Sequence, residues 1–186
     1  MEFIETLYVK NGNILNLEYH LKRIKNTLKY FKFKTLKLPK LKEGEYRVRI
    51  TYNQFGIKNI EYFPIKRREF KKFKLIKIDF DYKFKYKNRN HFLDIYSKYK
   101  NFDEFILIKN NLITDTTISN IAFFTGKEWI TPKYPLLKGT KREELLNKKI
   151  LKVENIHISD IKYFKKIALI NAIVGFREIE NFVIIK

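Results

Sequence analysis

The chain has 186 residues, with 40 Lys or Arg against 20 Asp or Glu, so its formal net charge is +20. Its 17 Phe and 12 Tyr can build a core, unlike the residues of a disordered basic tail. The absence of Cys excludes disulfides and thiolate metal sites. No apolar run approaches the roughly 18 residues of a membrane span, and the start does not resemble a signal peptide. We therefore expect a cytoplasmic protein with no membrane partner, and no metal site because its three His are far apart.

The excess positive charge has two interpretations. It is nearly all Lys and is spread along the whole chain, which favours a solvated Lys surface over a nucleic-acid interface. Residues 70–73 (FKKF) and 82–86 (YKFKY) interleave aromatic with basic residues, as single-strand binders do, but strands with alternating faces explain both. Nucleic acid is therefore the disfavoured partner.

The first 82 residues predict mainly strands and one helix. Asn11 and Gly12 form a turn, and Asn16 is the expected N-cap of a helix that ends near Phe31. The apolar residues of this helix recur at spacings of 4, 3, 4 and 3, which predicts a core-facing stripe. The stripe consists of Leu17, Leu21, Ile24, Leu28 and Phe31. The predicted strands are 2–9, 45–53, 59–64 and 75–82.

The rest of the chain alternates helices with short strands. A helix is predicted over 87–100, and a second over 140–147, where Thr140 and Glu143 have the spacing of a capping box. A short helix is expected near 159–164. The predicted strands are 105–108, 112–114, 118–124, 128–131, 153–156 and 167–171. This order predicts the α+β class.

Three features could carry chemistry. Lys85 follows a strand, and desolvation would lower its pKa and suit it to Schiff-base formation, although most Lys are solvated. Asp115 lies in a stretch rich in hydroxyl groups, which is also typical of a turn. Residues 139–142 open a helix, where free N–H groups could bind an anion or be capped.

Taken together, these features resemble the fold-type IV pyridoxal-phosphate enzymes of the class IV aminotransferase family. That class holds aminodeoxychorismate lyase, D-amino acid aminotransferase and branched-chain aminotransferase. Eight short motifs occur in the family's order along almost the whole chain. They are 3–6 (FIET) with 11–12, 20–23 (HLKR), 85–89 (KYKNR), 103–104, 112–115 (LITD) with 119–120, 129–132 (WITP), 136–142 (LLKGTKR), and 171–172 with 175.

The resemblance implies two small α/β domains, a pyridoxal 5′-phosphate cofactor and a homodimer. The expected domains are 1–79, a linker over 80–86 that carries the Schiff-base Lys, and a larger cofactor-binding domain over 87–186. Because the chain begins at the FIET strand, the resemblance also implies a shortened N-terminal domain.

The resemblance assigns roles to individual residues. Lys85, four residues before Arg89, would carry the Schiff base and move protons, with Thr6 beside it. Arg23 would bind the cofactor phosphate. Asp115 stands where most members have Glu facing the pyridine nitrogen, and it is one methylene shorter. Further cofactor contacts are expected from Ser119, Asn120, Gly139, Thr140, Lys141, Asn171 and Ala172.

The function expected first is a 4-amino-4-deoxychorismate lyase, which releases 4-aminobenzoate and pyruvate in folate biosynthesis. Thr6, the compact chain and Ile4 in place of an aminotransferase Tyr favour it. An aminotransferase for D-amino or branched-chain acids is the alternative, and a basic nucleic-acid-binding protein is the non-enzyme alternative. The substrate would be small, anionic and amino-acid-like. Arg47 and Arg49 could bind its carboxylates, although a strand with solvated charges is favoured.

Overall fold

The computed structural model describes residues 1–185 and divides into two compact units. Residues 1–67 and 84–89 form the first unit, and residues 68–83 form the second with the chain from residue 90 onward. Both units combine helices with mainly antiparallel sheets, so the predicted α+β class is confirmed.

The first unit is a four-stranded antiparallel sheet with one helix. Its strand order is β2-β1-β3-β4, and the long β1–β3 ladder runs from the pair Phe3–Tyr52 to the pair Lys10–Glu45. The sheet and its helix match the predicted elements closely, except that the sequence did not indicate β2. The elements are β1 (Phe3–Lys10), β2 (Asn13–Ile14), α1 (Leu17–Phe31), β3 (Glu45–Asn53) and β4 (Gly56–Phe63).

The predicted apolar stripe of helix α1 is confirmed in its second half only. Ile24 and Leu28 are buried in a core cluster and Phe31 packs against it. Leu17 and Leu21 are 40% and 42% exposed, and the polar His20 is buried in the first half of the helix instead. The predicted side-chain cap is wrong, because Asn16 adopts a left-handed conformation and its side chain makes no capping hydrogen bond.

The second unit contains two sheets and the remaining helices. One sheet has the order β10-β9-β8-β11-β12 and the other β13-β5-β6-β7. Its largest core cluster joins both sheets through buried residues such as Ile106, Ile121 and Ile167. The elements are β5 (Lys72–Lys77), α2 (Asn90–Lys98), β6 (Glu104–Lys109), β7 (Leu112–Thr116), β8 (Asn120–Phe124), β9 (Trp129–Pro132), α3 (Thr140–Asn147), β10 (Leu151–Glu154), a 3₁₀ helix (Ile158–Tyr163), β11 (Ile167–Asn171), β12 (Gly175–Ile179) and β13 (Val183–Ile185).

The two units divide the chain at residues 67, 83 and 89, whereas the sequence predicted a boundary at residue 79 and a linker over 80–86. Strand β5 pairs in parallel with β6 and β13, so its backbone hydrogen bonds tie it to the second unit. The predicted strand 75–82 also ends early, at Lys77, because residues 78–82 leave the ladder. Strands β12 and β13 were not predicted.

Aromatic side chains in the two basic stretches belong to the core. Phe70, Phe73 and Tyr82 are each at most 7% exposed, so they cannot offer a surface on which bases stack. Within residues 1–185, no helix has the length and apolar character needed to cross a bilayer, and no group of three or more His, Asp or Glu could hold a metal ion.

Candidate functional site

Lys85 is fixed to the first unit through its backbone. The N–H of Ile4 donates to the carbonyl of Lys85 at 2.9 Å, and Phe3 bridges to Tyr86 in the next pair. Phe84 and Tyr86, on either side of the lysine, both pack against Phe3. The alternating YKFKY pattern therefore anchors two aromatic rings in the core and directs Lys85 away from them.

The charges around Lys85 are mostly positive. Burial is the main cause of its lowered pKa, and the nearby cations Arg23, Arg89 and Arg49 add to the effect, whereas Glu5 opposes it. Together they lower the pKa of Lys85 to about 7. About half of the amine is then neutral at pH 7, the form that attacks a carbonyl or accepts a proton.

Glu5 joins helix α1 to the sheet. Its carboxylate is fully buried and accepts hydrogen bonds from the Nε and Nη2 atoms of Arg23, at 2.8 and 2.6 Å. His20 Nδ1 lies 2.8 Å from the same carboxylate. Since a carboxylate only accepts hydrogen bonds, the His20 proton is on Nδ1. The buried Nε2 atom, which has no hydrogen-bond partner in residues 1–185, then carries no proton that would need an acceptor. Glu5 therefore fixes the orientation of Arg23.

The same contacts decide the charge of Glu5. Burial alone would raise its pKa, but the charge of Arg23 and the hydrogen bonds from His20 and Arg23 outweigh it and lower the pKa to about 2. Glu5 is therefore an anion throughout the neutral range. Neither Glu5 nor His20 was assigned a role from the sequence, although both stand in motifs that carried the resemblance.

Thr6 lies on the other face of β1 from Glu5. It pairs with Arg49 across the β1–β3 ladder, so the two side chains share a face, and Arg49 is close enough to affect Lys85. The structure thus places Lys85, Thr6 and Arg23 in the first unit, around β1. The roles predicted for Thr6 and Arg23 stay predictions.

In the second unit, Asp115 is held by neutral donors. Asn120 Nδ2 donates to its Oδ1 at 2.6 Å, and the N–H of Leu137 donates to its Oδ2 at 2.9 Å. Burial outweighs these bonds and the charge of Arg142, and it raises the pKa of Asp115 to about 7. Each carboxylate oxygen has two lone pairs, so Asp115 keeps capacity for a further donor or cation.

Gly139 is required beside this carboxylate. A Cβ atom at this position would overlap Asn120 Oδ1 and lie 3.1 Å from its Cγ. Asn120 cannot easily move, because its amide also donates to the carbonyl of Leu137 at 2.8 Å. The missing side chain at Gly139 therefore lets the start of α3 approach Asp115 through Asn120.

The start of helix α3 is not capped by a side chain. Its N-cap is Gly139 and no capping hydrogen bond forms, so the predicted capping box of Thr140 and Glu143 is wrong. Thr140 is the first helical residue; it is buried, and its hydroxyl bonds to no other group in residues 1–185. An uncapped helix start offers N–H groups to an anion.

Two charged side chains brace this helix. Arg142, which was given no separate role from the sequence, donates to the carbonyl of Pro132 at 2.8 Å and to Thr131 Oγ1 at 3.3 Å. Lys141 bonds within the helix to Glu144 at 2.8 Å. Any contact of Lys141 with a cofactor would therefore involve its backbone or require this pair to open.

The remaining predicted residues shape turns near the second unit's sheets. Ser119 exchanges hydrogen bonds with Thr116, at 2.8 Å between their hydroxyls. Asn171 Oδ1 accepts from the N–H groups of Ile173 and Val174 and thereby closes the turn that contains Ala172. These side-chain bonds are structural, so the predicted contacts of Asn171 and Ala172 would have to come from backbone atoms.

Comparisons with known proteins identify the family of the chain. A profile of the family described as amino-transferase class IV matches residues 83–182. An uncharacterized protein of Haemophilus influenzae is 34% identical over 183 residues, covering 92% of this chain and 97% of the relative. The chain belongs to the class IV aminotransferase family. The resemblance inferred from its motifs is therefore confirmed.

Solved structures show the same fold-type IV architecture. A protein of Haemophilus somnus, provisionally named a 4-amino-4-deoxychorismate lyase, is 30% identical with a TM-score of 0.83, covering 94% of this chain and 97% of that one. A protein of Mesorhizobium loti, provisionally named an amino-acid aminotransferase, is 20% identical with a TM-score of 0.86 and 99% coverage of both chains. This class IV chain thus has the predicted fold-type IV fold.

The Glu5 contacts predict a pH-dependent stability. Replacing Glu5→Gln leaves Arg23 without its anion, which costs about 3 kcal/mol at pH 7. The pKa of Glu5 is about 2 in the folded protein and about 4.5 in the unfolded chain. The difference in the free energy of unfolding between wild type and variant is therefore complete above about pH 4.5, and it is lost as the pH falls toward 2. Urea unfolding from pH 7 to pH 3 measures this difference. The exposed Glu43→Gln is the control, and a constant gap for Glu5→Gln would contradict the account.

The close approach of Gly139 to Asn120 predicts strong coupling between the two positions. Gly139→Ala should lower the free energy of unfolding by about 1–3 kcal/mol, because the new methyl group displaces the Asn120 amide. In an Asn120→Ala background the same change should cost little, since the obstructing atoms are gone. Urea unfolding of the two single variants and the double variant tests this, and additive effects would show that the overlap is not the cause.

Proposed function

We propose that the protein is a pyridoxal-phosphate enzyme that converts 4-amino-4-deoxychorismate into 4-aminobenzoate and pyruvate. The observation that carries the proposal is Lys85, an amine with a pKa of about 7 beside an arginine fixed by a buried carboxylate. The 30% identity to the Haemophilus somnus protein supports the lyase in particular. Folate biosynthesis, a cytoplasmic location and a homodimer belong to the same proposal.

The residues present fit this cofactor. Lys85 offers a neutral amine to an aldehyde, and Arg23 offers a guanidinium to a phosphate. In the second unit, the uncapped start of α3 at Thr140 offers N–H groups to an anion, and Asp115 offers a buried carboxylate to a ring nitrogen. When bound, pyridoxal phosphate would supply an electron sink for the electron pair left at a substrate carbon.

Each residue would then have one task. Lys85 would accept the proton from the ring carbon that bears the amine. The ether C–O bond to the ring would then break, and a proton would be delivered to the methylene carbon of the departing enolpyruvyl group. Asp115 would keep the pyridine nitrogen protonated, because a cationic partner would return its carboxyl group, whose pKa is raised, to the ionised form. Arg23 would offer its guanidinium to the phosphate. In the second unit, Thr140 and Lys141 would offer backbone N–H groups to an anion.

The side chains do not separate a lyase from an aminotransferase, because both need a Lys to move the proton. The reactions differ in what leaves the substrate. An aminotransferase for D-amino or branched-chain acids requires a keto acid as the amine acceptor, whereas the lyase requires none. This difference gives the decisive assay.

The test uses protein purified with pyridoxal phosphate, beside Lys85→Ala and Lys87→Ala. The wild type should be yellow, and borohydride should abolish the colour and leave the cofactor covalently on Lys85, as peptide mass spectrometry detects. Lys85→Ala should lose both the covalent attachment and at least 1000-fold in turnover, on the order expected for a general acid–base group. Lys87, exposed and paired with Glu2, should be replaceable with little effect.

The same preparations decide the reaction. The proposal expects release of 4-aminobenzoate from 4-amino-4-deoxychorismate in the absence of any keto acid. Activity on D-amino or branched-chain acids only when a keto acid is added would replace the lyase by an aminotransferase. A colourless protein that takes up no cofactor would contradict the enzyme proposal altogether.

A further inference from the structure

Two arginines of β3 lie side by side on one face of the first unit's sheet. Arg47 and Arg49 are two residues apart, so their side chains share a face with Cα atoms about 7 Å apart. Their partners in β1 are Tyr8 and Thr6, which share the same face. Glu5 lies on the opposite face and already accepts from Arg23 and His20, so it does not neutralise this pair.

Neither arginine forms an ion pair with a carboxylate in residues 1–185. In residues 1–185, Arg47 and Arg49 make no side-chain hydrogen bond and no ion pair, and both guanidinium groups lie over the ring of Phe63, at 4.4 and 5.5 Å from its centroid. The Nε atom of Arg49 is buried without a hydrogen-bond partner. Glu61 lies opposite Arg49 in β4; its charge attracts Arg47 and acts to raise the pKa of that group, but it is not within ion-pair distance of either arginine.

This arrangement is costly unless an anion completes it. Both side chains are half-buried rather than solvated, so the alternative favoured from the sequence, a strand with solvated charges, is wrong. Burial and the charge of Arg49 lower the pKa of Arg47 and outweigh the opposing charge of Glu61, so the two cations repel each other. An unpaired donor and two crowded cations destabilise the fold, and a bound anion would satisfy both.

We propose that Arg47 and Arg49 form a subsite that binds the two carboxylates of a small dicarboxylate substrate close to Lys85. Strand β3 pairs with β1, and the N–H of Ile4 in β1 donates to the carbonyl of Lys85 at 2.9 Å, so the pair lies near the reactive amine. A guanidinium suits this task because its planar fork donates two hydrogen bonds to one carboxylate. Two such groups on one face of the strand suit a compact dicarboxylate better than an amino acid with one carboxylate.

The inference deepens the proposed function and rests on it for the identity of the substrate. 4-Amino-4-deoxychorismate carries two carboxylates, whereas a branched-chain amino acid carries one. The subsite would therefore favour the lyase substrate by its charge. Thr6 lies opposite Arg49 in the β1–β3 ladder and shares its face, so the Thr6 hydroxyl is available to the same ligand.

The first arm of the test is kinetic. In protein loaded with pyridoxal phosphate, Arg47→Gln and Arg49→Gln should each raise KM for 4-amino-4-deoxychorismate about tenfold to a hundredfold, the effect of losing a charged hydrogen bond. The value of kcat should change less than threefold in Arg47→Gln. Arg49→Lys, which keeps a positive charge beside Lys85, should recover part of the KM effect of Arg49→Gln. Lys58→Gln, which removes an exposed charge from the same sheet, is the matched control. An unchanged KM in both Arg variants would overturn the proposal.

Two further readouts separate the subsite from other roles. The affinity for pyridoxal phosphate should be the same in wild type and Arg variants; a loss of cofactor affinity with KM unchanged would assign the pair to the cofactor and overturn the proposal. The melting temperature of Arg49→Gln should equal or exceed that of the wild type, since a repelling cation is removed. A lower melting temperature together with a proportional loss of kcat would indicate a structural role and overturn it as well.

The second arm does not depend on the reaction. Titration calorimetry measures binding of isophthalate, a ring with two carboxylates, and of benzoate, with one, to wild type, Lys85→Ala and both Arg variants. We expect wild type and Lys85→Ala to bind isophthalate at least tenfold tighter than benzoate, and the Arg variants to lose that preference. Equal binding by wild type and Arg variants would contradict the subsite. If the protein released no 4-aminobenzoate but kept this preference, the proposed function would fail while the subsite stood.

Discussion

The buried carboxylate of Glu5 is the interaction on which the charge arrangement of the first unit depends. It accepts from Arg23 and His20 of helix α1, and this polar contact acts together with the buried Ile24 and Leu28 to fix which face of the helix turns to the sheet. It is also the anion that partly offsets the cations around Lys85. Without it, Arg23 would lose its fixed orientation, and Lys85 would lie among positive charges alone.

Two of the buried carboxylates, Glu5 and Asp115, have opposite protonation behaviour for a physical reason. Glu5 accepts from a guanidinium, so attraction outweighs burial and its pKa falls to about 2. Asp115 is bonded to neutral N–H groups, so burial dominates and its pKa rises to about 7. Glu5 is thus already neutralised by its own chain, whereas Asp115 would gain most from a cationic partner. This difference matches a positioning role for Glu5 and a ligand-binding role for Asp115.

Much of this arrangement could be predicted from local patterns, and the rest depended on contacts between distant residues. Strand β3 and helix α3 follow directly from alternation and from turn residues, and they occur where predicted. The role of Glu5 could not be deduced, because a Glu in a strand reads as a solvated residue until its partners, 15 and 18 positions away, are known. Likewise, Gly139 was predicted only as a residue at the opening of a helix and a cofactor contact, and its requirement for a missing side chain comes from the distant Asn120.

The central claim is that its surroundings make Lys85 a neutral amine near pH 7, and its titration tests that claim most directly. Brief labelling of the folded protein with an amine-reactive reagent at pH 5–11, followed by peptide mass spectrometry, gives the labelling rate of Lys85 beside those of exposed lysines. The account predicts a half-maximal rate near pH 7, and a midpoint that rises in Arg49→Gln, where one neighbouring cation is removed. A midpoint near 10.5 in the wild type, unchanged in the variant, would contradict it.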